Sequence, residues 1–507
     1  MTVHPDFDTF LRTYEARTPQ VVWRTLVADL ETPVSAFLKL ANGQKHAFLL
    51  ESVEGGAVRG RYSVLGMKPD LIWKCVGNQA WVNRDARTSP DGGFAPCPVA
   101  AEKGALASLH ALSQESRVEI PPNLPPMAAG LIGYLTYDTV RLVEKLPDDN
   151  PDVIGIPDGI FIRPTVMAVF DNVNGTLTAV VPVWPRDGID ARAALDLANE
   201  RLEHVVEALE RPLPYVDAGH ERHEHAPTPV ASMTPEEYCA KVLKAKEYIA
   251  AGDIFQVVLS QRLKVPFRLP PFSLYRALRR MNPSPFLVYM NFGEFQLVAS
   301  SPEILVRLRD GVVTVRPIAG TRKRGADQAE DEALAADLLA DPKELAEHLM
   351  LLDLGRNDVG RVAKIGTVTV TKKMFVEYYS HVMHIVSNVE GEIRGECDAM
   401  DALMAGFPAG TTSGAPKIRA MEIIDELETE RRSFYAGCMG YISGNGSMDT
   451  CIALRTALVK DGVMYAQAGA GIVADSVPEK EHEECMNKAR ALVRAAEEAL
   501  EYTLRKQ

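Results

Sequence analysis

The sequence predicts an α+β protein with antiparallel sheets. Three observations carry that reading. Strand-like runs cluster together and helix-like runs cluster together, unlike the alternation of βαβ units. Asn174-Gly175 and Asp310-Gly311 each sit between β-rich flanks, where such pairs close two-residue hairpins. No stretch approaches the ~18 uninterrupted apolar residues that a membrane span needs.

In chain order, "KHAFLLES" (45–52) and "VMAVFDNVNGTLTAVVPV" (166–183) read as strands. "ARAALDLANERLEHVVEALE" follows as an amphipathic helix. Residues 20–205 are taken as a first domain. Residues 206–233 are taken as a linker, because "RPLPYVDAGHERHEHAPTPVASM" is rich in Pro, His and small residues and has no period. His220, His223 and His225 lie there without an acidic or Cys partner at fixed spacing, the pattern of a solvated loop.

Residues 234–497 form the second domain. It opens on a helix, with Thr234 at the cap, Pro235 in the first turn and Glu237 three residues after the cap. "IFQVVLSQRLKV" alternates like a strand, and residues 286–318 read as three or four antiparallel strands. The chain closes on a long helix from about Glu479.

Composition narrows the function. Hydrophobic residues make up 46% of the 507, enough for a packed core. The net charge of -13 argues against broad nucleic-acid binding. The first residues lack an apolar leader, so a cytoplasmic protein is expected. Seven scattered cysteines form no C-x-x-C pair, which predicts free buried thiols.

Four features are able to carry chemistry. Glu344 and Glu347 share one helix face at i, i+3, and Glu481 and Glu484 repeat the arrangement with Lys488 one turn on. Two such pairs suit Mg²⁺, although the same spacing is commonplace on solvated helices. "FPAGTTSGAPKIRAM" and "QAGAGIVADS" are glycine-rich turns whose N–H groups could meet an oxyanion, or simply be tight turns. His384 sits in a strand-like apolar run, the setting of a core histidine as much as of a catalyst. Cys438 in "YAGCMGY" lacks the setting of a glutaminase nucleophile and reads as structural.

Taken together, the second domain resembles the chorismate-utilising enzymes, and among them the anthranilate synthase component I family. The resemblance rests on "GDIFQVVLSQR", "NPSPFLVYM", "ASSPEILVR", "RPIAGTRKRG", "EHLMLLDLGRND", "VMHIVS", "FPAGTTSGAPKIRAMEII", "YAGCMGYIS", "DTCIALRTALV", "QAGAGIVADSVPEKE" and "ECMNKARA", in that order. They span about residues 235 to 495. "FLLES" ties the first domain to the same family.

The resemblance implies a fold of antiparallel sheets packed as a sandwich with helices on the outer faces. It implies Mg²⁺ held by Glu347 and Glu484, with Glu344 and Glu481 in support. Chorismate would lie among Gly320, Thr321, Tyr435, Arg455, Gly469, Ala470, Gly471 and Lys488. His384, Glu303 and Thr412 would be catalytic, with Glu303 protonating the departing C4 hydroxyl. Glu51, Ser52, Pro285, Phe286 and Leu287 would form a tryptophan site.

Two positions discriminate within the family. Relatives that attack chorismate with an enzyme lysine read P-I-K-G-T where this chain has Ala319. Isochorismate- and salicylate-forming relatives use a lysine to activate water where this chain has Gln256. An alanine and an amide supply neither attack, so ammonia is the expected nucleophile. With no glutaminase motif, ammonia would come from a glutamine amidotransferase partner (anthranilate synthase component II), in a hetero-oligomer such as a heterotetramer. The alternatives are an aminodeoxyisochorismate synthase and a non-catalytic tryptophan-sensing paralogue.

Overall fold

The structure is a computed structural model, described over residues 2–54, 58–214, 228–379 and 382–504. His220, His223 and His225 lie outside the described residues.

Local chemistry accounts for the hairpins and helix ends. Asp171 pairs with Thr176 across the Asn-Gly turn, where Gly175 adopts φ +63°. Asp310 and Gly311 both have positive φ, +51° and +76°, the geometry that a twisted two-residue hairpin demands. The helix Pro235–Ala251 starts at the expected capping box: Glu237 N–H donates to Thr234 Oγ1 (3.2 Å) and Thr234 N–H to Glu237 Oε2 (2.7 Å). It ends at Gly252 in the left-handed region.

The helix Ala191–Glu210 continues five residues into the stretch read as linker from 206. Ala208 and Leu209 are half-buried against the core beyond Leu202 and Val205, so packing carries the helix on. At the far side of that stretch, Val230 and Ala231 pair with Lys264 and Leu263.

Apart from the short pair Val53–Glu54 and Val58–Arg59, the described strands build one continuous antiparallel network that both halves of the chain share. Ala47–Glu51 lies beside Phe286–Asn291, with Glu51 opposite Leu287. Gly130–Leu135 lies beside Cys438–Ser443. The two halves are therefore interleaved.

The network folds into a sandwich. Tyr134 packs on Phe292 and Phe295 at 5.3 and 5.9 Å, although its strand is not bonded to theirs. Alternation divides each strand between two cores: Val288 and Met290 face one, Leu287 and Tyr289 the other. Helices cover the second core through Leu195, Leu274, Leu278 and Leu492, all buried. Each such side chain contributes about 2 kcal/mol through removal of apolar area from water.

All seven cysteines are free. Cys75, Cys438, Cys451 and Cys485 are buried as expected, but Cys97, Cys239 and Cys397 are only half-buried. Among the described residues no helix is long and apolar enough to cross a membrane.

Candidate active site

The site forms where the strand Ile318–Lys323 meets the helices Pro342–Gly360 and Pro478–Leu504. Ile318–Lys323 pairs with Val382–Glu392, and the register slips between Ala319 and Thr321. Gly320 takes φ +74° at that bulge. A Cβ there would stand 3.1 Å from Glu344 Oε2 and from Ile385, so glycine lets the helix carboxylate approach.

The bulge also organises His384. Gly320 O and Thr321 Oγ1 both lie 3.1 Å from His384 Nδ1. A carbonyl only accepts, so Nδ1 carries the proton and Nε2 keeps its lone pair. Burial pushes the imidazole pKa down to about 4, with the Gly320 carbonyl opposing and the Arg455 charge adding to it. Tyr379 packs edge-on against the ring at 5.4 Å.

His384 opens onto a cleft of about 530 Å³ that Thr321, Tyr379, Arg455, Glu484 and Lys488 also line. That volume suits a small-molecule ligand. Arg455 adopts φ +46° and forms no ion pair with any described residue. Burial lowers its pKa. Lys488 binds Glu484 at 2.8 Å and donates to Gly469 O at 3.1 Å.

Gly469, Ala470 and Gly471 correct one expectation: they do not form a turn. They lie in the strand Val463–Ile472, opposite Ser260, Leu259 and Val258. On the other edge, the pairing with Thr456–Lys460 stops at Ala466, which leaves that edge without a strand partner beside the three residues. Both glycines are needed for contact. A Cβ at Gly471 would lie 2.3 Å from Gln256 Nε2, and one at Gly469 3.1 Å from Tyr435 Oη.

Gln256 donates from Nε2 to Glu347 Oε1 at 3.4 Å, and its own Oε1 is buried without a partner among the described residues. Burial raises the Glu347 pKa, and the Glu344 and Glu484 charges push the same way. Burial likewise raises Glu481, with Ser476 opposing and Glu484 adding. Cations already lie beside two of these carboxylates, Lys488 at 2.8 Å from Glu484 and Arg322 at 3.6 Å from Glu344. Among the described residues no three acidic, His or Cys side chains already close around one point. Glu347 and Glu484 are the residues that could hold Mg²⁺, which takes one or two carboxylates and completes its shell with water and substrate oxygens.

Glu303 is buried beside Ile318, and desolvation pushes its pKa up to about 8 against the nearby Thr411 hydroxyl and the Ile318 N–H. It is a carboxylic acid at neutral pH. Thr412 does not line the cleft: it is buried, and its hydroxyl donates to Ala409 O at 3.1 Å. Arg432 donates to Thr412 O and Val258 O while paired with buried Glu428, which accepts from Ser260 N–H. This unforeseen pair ties the Gly-rich segment to the strand Gln256–Pro266. Asn282, Tyr379 and Asn487 also line the cleft without having been singled out. For Tyr379 the available signal was its position across the turn from the strand of His384.

The expected tryptophan segments are neighbours. Glu51 faces Leu287 across adjacent strands, while Ser52, Pro285 and Phe286 are half-buried. The Glu51 carboxylate is already occupied: Tyr275 Oη and Arg279 Nε reach Oε1 at 2.6 Å, and Arg279 Nη2 reaches Oε2 at 2.8 Å.

A neutral histidine and a guanidinium without an ion pair among the described residues, lining one cleft with Glu484 and Lys488, accord with what the comparisons show. The chain belongs to the chorismate-binding enzyme family, which matches residues 73–494. Within it, the chain is similar to anthranilate synthase component 1 of Cereibacter sphaeroides, 59% identical over 97% of each chain. The protein of that name from Pseudomonas aeruginosa is 48% identical over 94% of this chain and 95% of its own. The crystal structure of anthranilate synthase component I from Streptococcus pneumoniae superposes with a TM-score of 0.74 at 36% identity, covering 93% of this chain and 99% of that one. The menaquinone-specific isochorismate synthase of Escherichia coli shares the fold at a TM-score of 0.67 and 21% identity, covering 97% and 98%.

Proposed function

We propose that this protein is the large subunit of an anthranilate synthase, converting chorismate and ammonia to anthranilate and pyruvate. One observation carries the reading: Arg455 faces the cleft beside neutral His384 with no carboxylate of its own among the described residues. A dianionic substrate supplies the missing charge.

Arg455 and Lys488 hold substrate carboxylates, and Thr321 and Tyr435 border the ring. Glu347 and Glu484, supported by Glu344 and Glu481, would hold Mg²⁺. When bound, that ion orients a substrate carboxylate and draws charge towards it. Ammonia adds at C2 while protonated Glu303 gives its proton to the C4 hydroxyl, which leaves as water. His384 Nε2 then takes the C2 proton, the C3–O bond breaks, pyruvate leaves and the ring becomes aromatic. Ala319 and Gln256 supply no rival nucleophile.

Ammonia is supplied by a glutamine amidotransferase partner. Cys438 supports this, since burial pushes its thiol up to about 12, the reverse of an activated glutaminase nucleophile. Tryptophan binds where Glu51 and Ser52 adjoin Pro285, Phe286 and Leu287, and acts as a feedback inhibitor. A site built on both halves of the chain couples their packing to activity when tryptophan binds one of two states more tightly.

The test is an assay with chorismate, Mg²⁺ and ammonium and no partner subunit. Fluorescent anthranilate and stoichiometric pyruvate are expected. Accumulation of a stable non-aromatic amine would overturn the assignment.

A further inference from the structure

A second cleft, of about 100 Å³, opens between the helix Ala191–Glu210 and the end of the strand Thr176–Val183. Arg87, Arg186 and Arg201 line it, with Asp70 as the carboxylate of the lining. Asp70 already has partners: Arg163 holds it through Nε at 2.8 Å and Nη2 at 3.0 Å, and Arg186 approaches at 3.4 Å. Arg163 in turn lies over the Trp184 ring at 4.1 Å.

Two donors in the lining lack an acceptor. Arg201 is half-buried and has no hydrogen bond or ion pair with any described residue. Burial lowers its pKa, and the Arg87 and Arg186 charges lower it further while Asp70 opposes. The Trp184 indole N–H is buried without a partner among the described residues. A half-buried Arg201 beside two exposed like charges, Arg87 and Arg186, and an unmet N–H are unfavourable in an empty protein and favourable around an anion.

The remaining wall is apolar. Ala194, Ala198 and Arg201 recur at i, i+4 and i+7, so one helix face presents two methyl groups and a guanidinium together. Three guanidinium groups against one neutralised carboxylate match a doubly charged ligand. We propose that this cleft binds a compact dianion, a phosphate ester or dicarboxylate with a small apolar body, held by Arg201, Arg186 and Arg87 and by the Trp184 N–H.

The test titrates the full chain with inorganic phosphate and with phthalate, following tryptophan fluorescence and calorimetric heat. Sodium chloride at equal ionic strength is the control. A saturable fluorescence change is expected, absent in Trp184→Phe, whose calorimetric binding persists but is weakened by loss of the N–H contact. The stronger of the two probes identifies the oxyanion type. Arg201→Gln should weaken binding by about 10-fold or more through loss of a charge-assisted contact. Its melting temperature without ligand should equal or exceed that of the parent, which separates lost binding from misfolding. Arg455→Gln should leave the signal intact, because the two clefts are separate. Equal binding in Arg201→Gln, an equal response to chloride, or loss of the signal in Arg455→Gln would each overturn the proposal.

Discussion

The Gly320 carbonyl oxygen lies 3.1 Å from His384 Nδ1, so a backbone bulge selects the histidine tautomer. The bulge depends on Gly320 at φ +74°, one residue after the side chain that removes a competing nucleophile, Ala319. One bulge in the strand Ile318–Lys323 therefore sets both the backbone at Gly320 and the tautomer of His384.

His384→Ala should lower kcat by about 10²–10⁴-fold, the usual contribution of a placed base. Chorismate affinity should change little, since the imidazole is neutral. Burial holds its pKa down to about 4, so the ring should stay neutral from about pH 5 upwards. NMR titration of the His384 ring checks this, and a midpoint near the ordinary value of 6.5 would contradict it.

Glu303 must be protonated to act as an acid. The rate, expressed per free ammonia, should be level through neutral pH and fall above about 8. The same shift bears on stability. The folded carboxyl keeps its proton between 4.5, its ordinary value, and about 8, where the unfolded one has lost it. Its contribution is full below 4.5 and is lost as pH rises through about 8. The slope is at most about 1.4 kcal/mol per pH unit for one proton. Urea unfolding of wild type and Glu303→Gln across that window should show the slope vanish in the variant.

Arg455→Gln should reduce kcat/KM for chorismate by about 10²-fold, or about 2.7 kcal/mol, the scale of a charge-assisted contact. The thermal midpoint should not fall, because the residue removed is a desolvated cation with no ion pair among the described residues. A clear loss of stability would show that Arg455 has a structural role instead.

Glu51→Ala leaves Arg279 without its carboxylate and Tyr275 without its acceptor. Breaking a buried pair from one side costs about 3–5 kcal/mol, readable by urea denaturation. Arg279→Ala should reproduce any change in the tryptophan response. If only Glu51→Ala alters it, the carboxylate contacts the ligand directly.

Elements governed by neighbours in sequence were legible. The Thr234, Pro235 and Glu237 cap, the Asp310-Gly311 turn and the pairs Glu344/Glu347 and Glu481/Glu484 depend on residues within one turn. The Gly469–Gly471 segment was misread as a turn because its strand partner, Ser260–Val258 in reverse, lies about two hundred residues upstream. Likewise, no local pattern shows that Arg432 donates to Thr412 O, or that Glu51 is clamped by Arg279.

By itself the sequence determined the α+β class, the family through its ordered motifs, and the absence of a lysine at Ala319 and Gln256, because these reside in residue identity and short-range spacing. Tertiary structure alone decided that the two halves interleave, that His384 is neutral with its proton on Nδ1, and that Glu303 is an acid near pH 8. Protonation follows burial and the charges nearby, and those are set by residues distant in sequence that only the packed fold brings together.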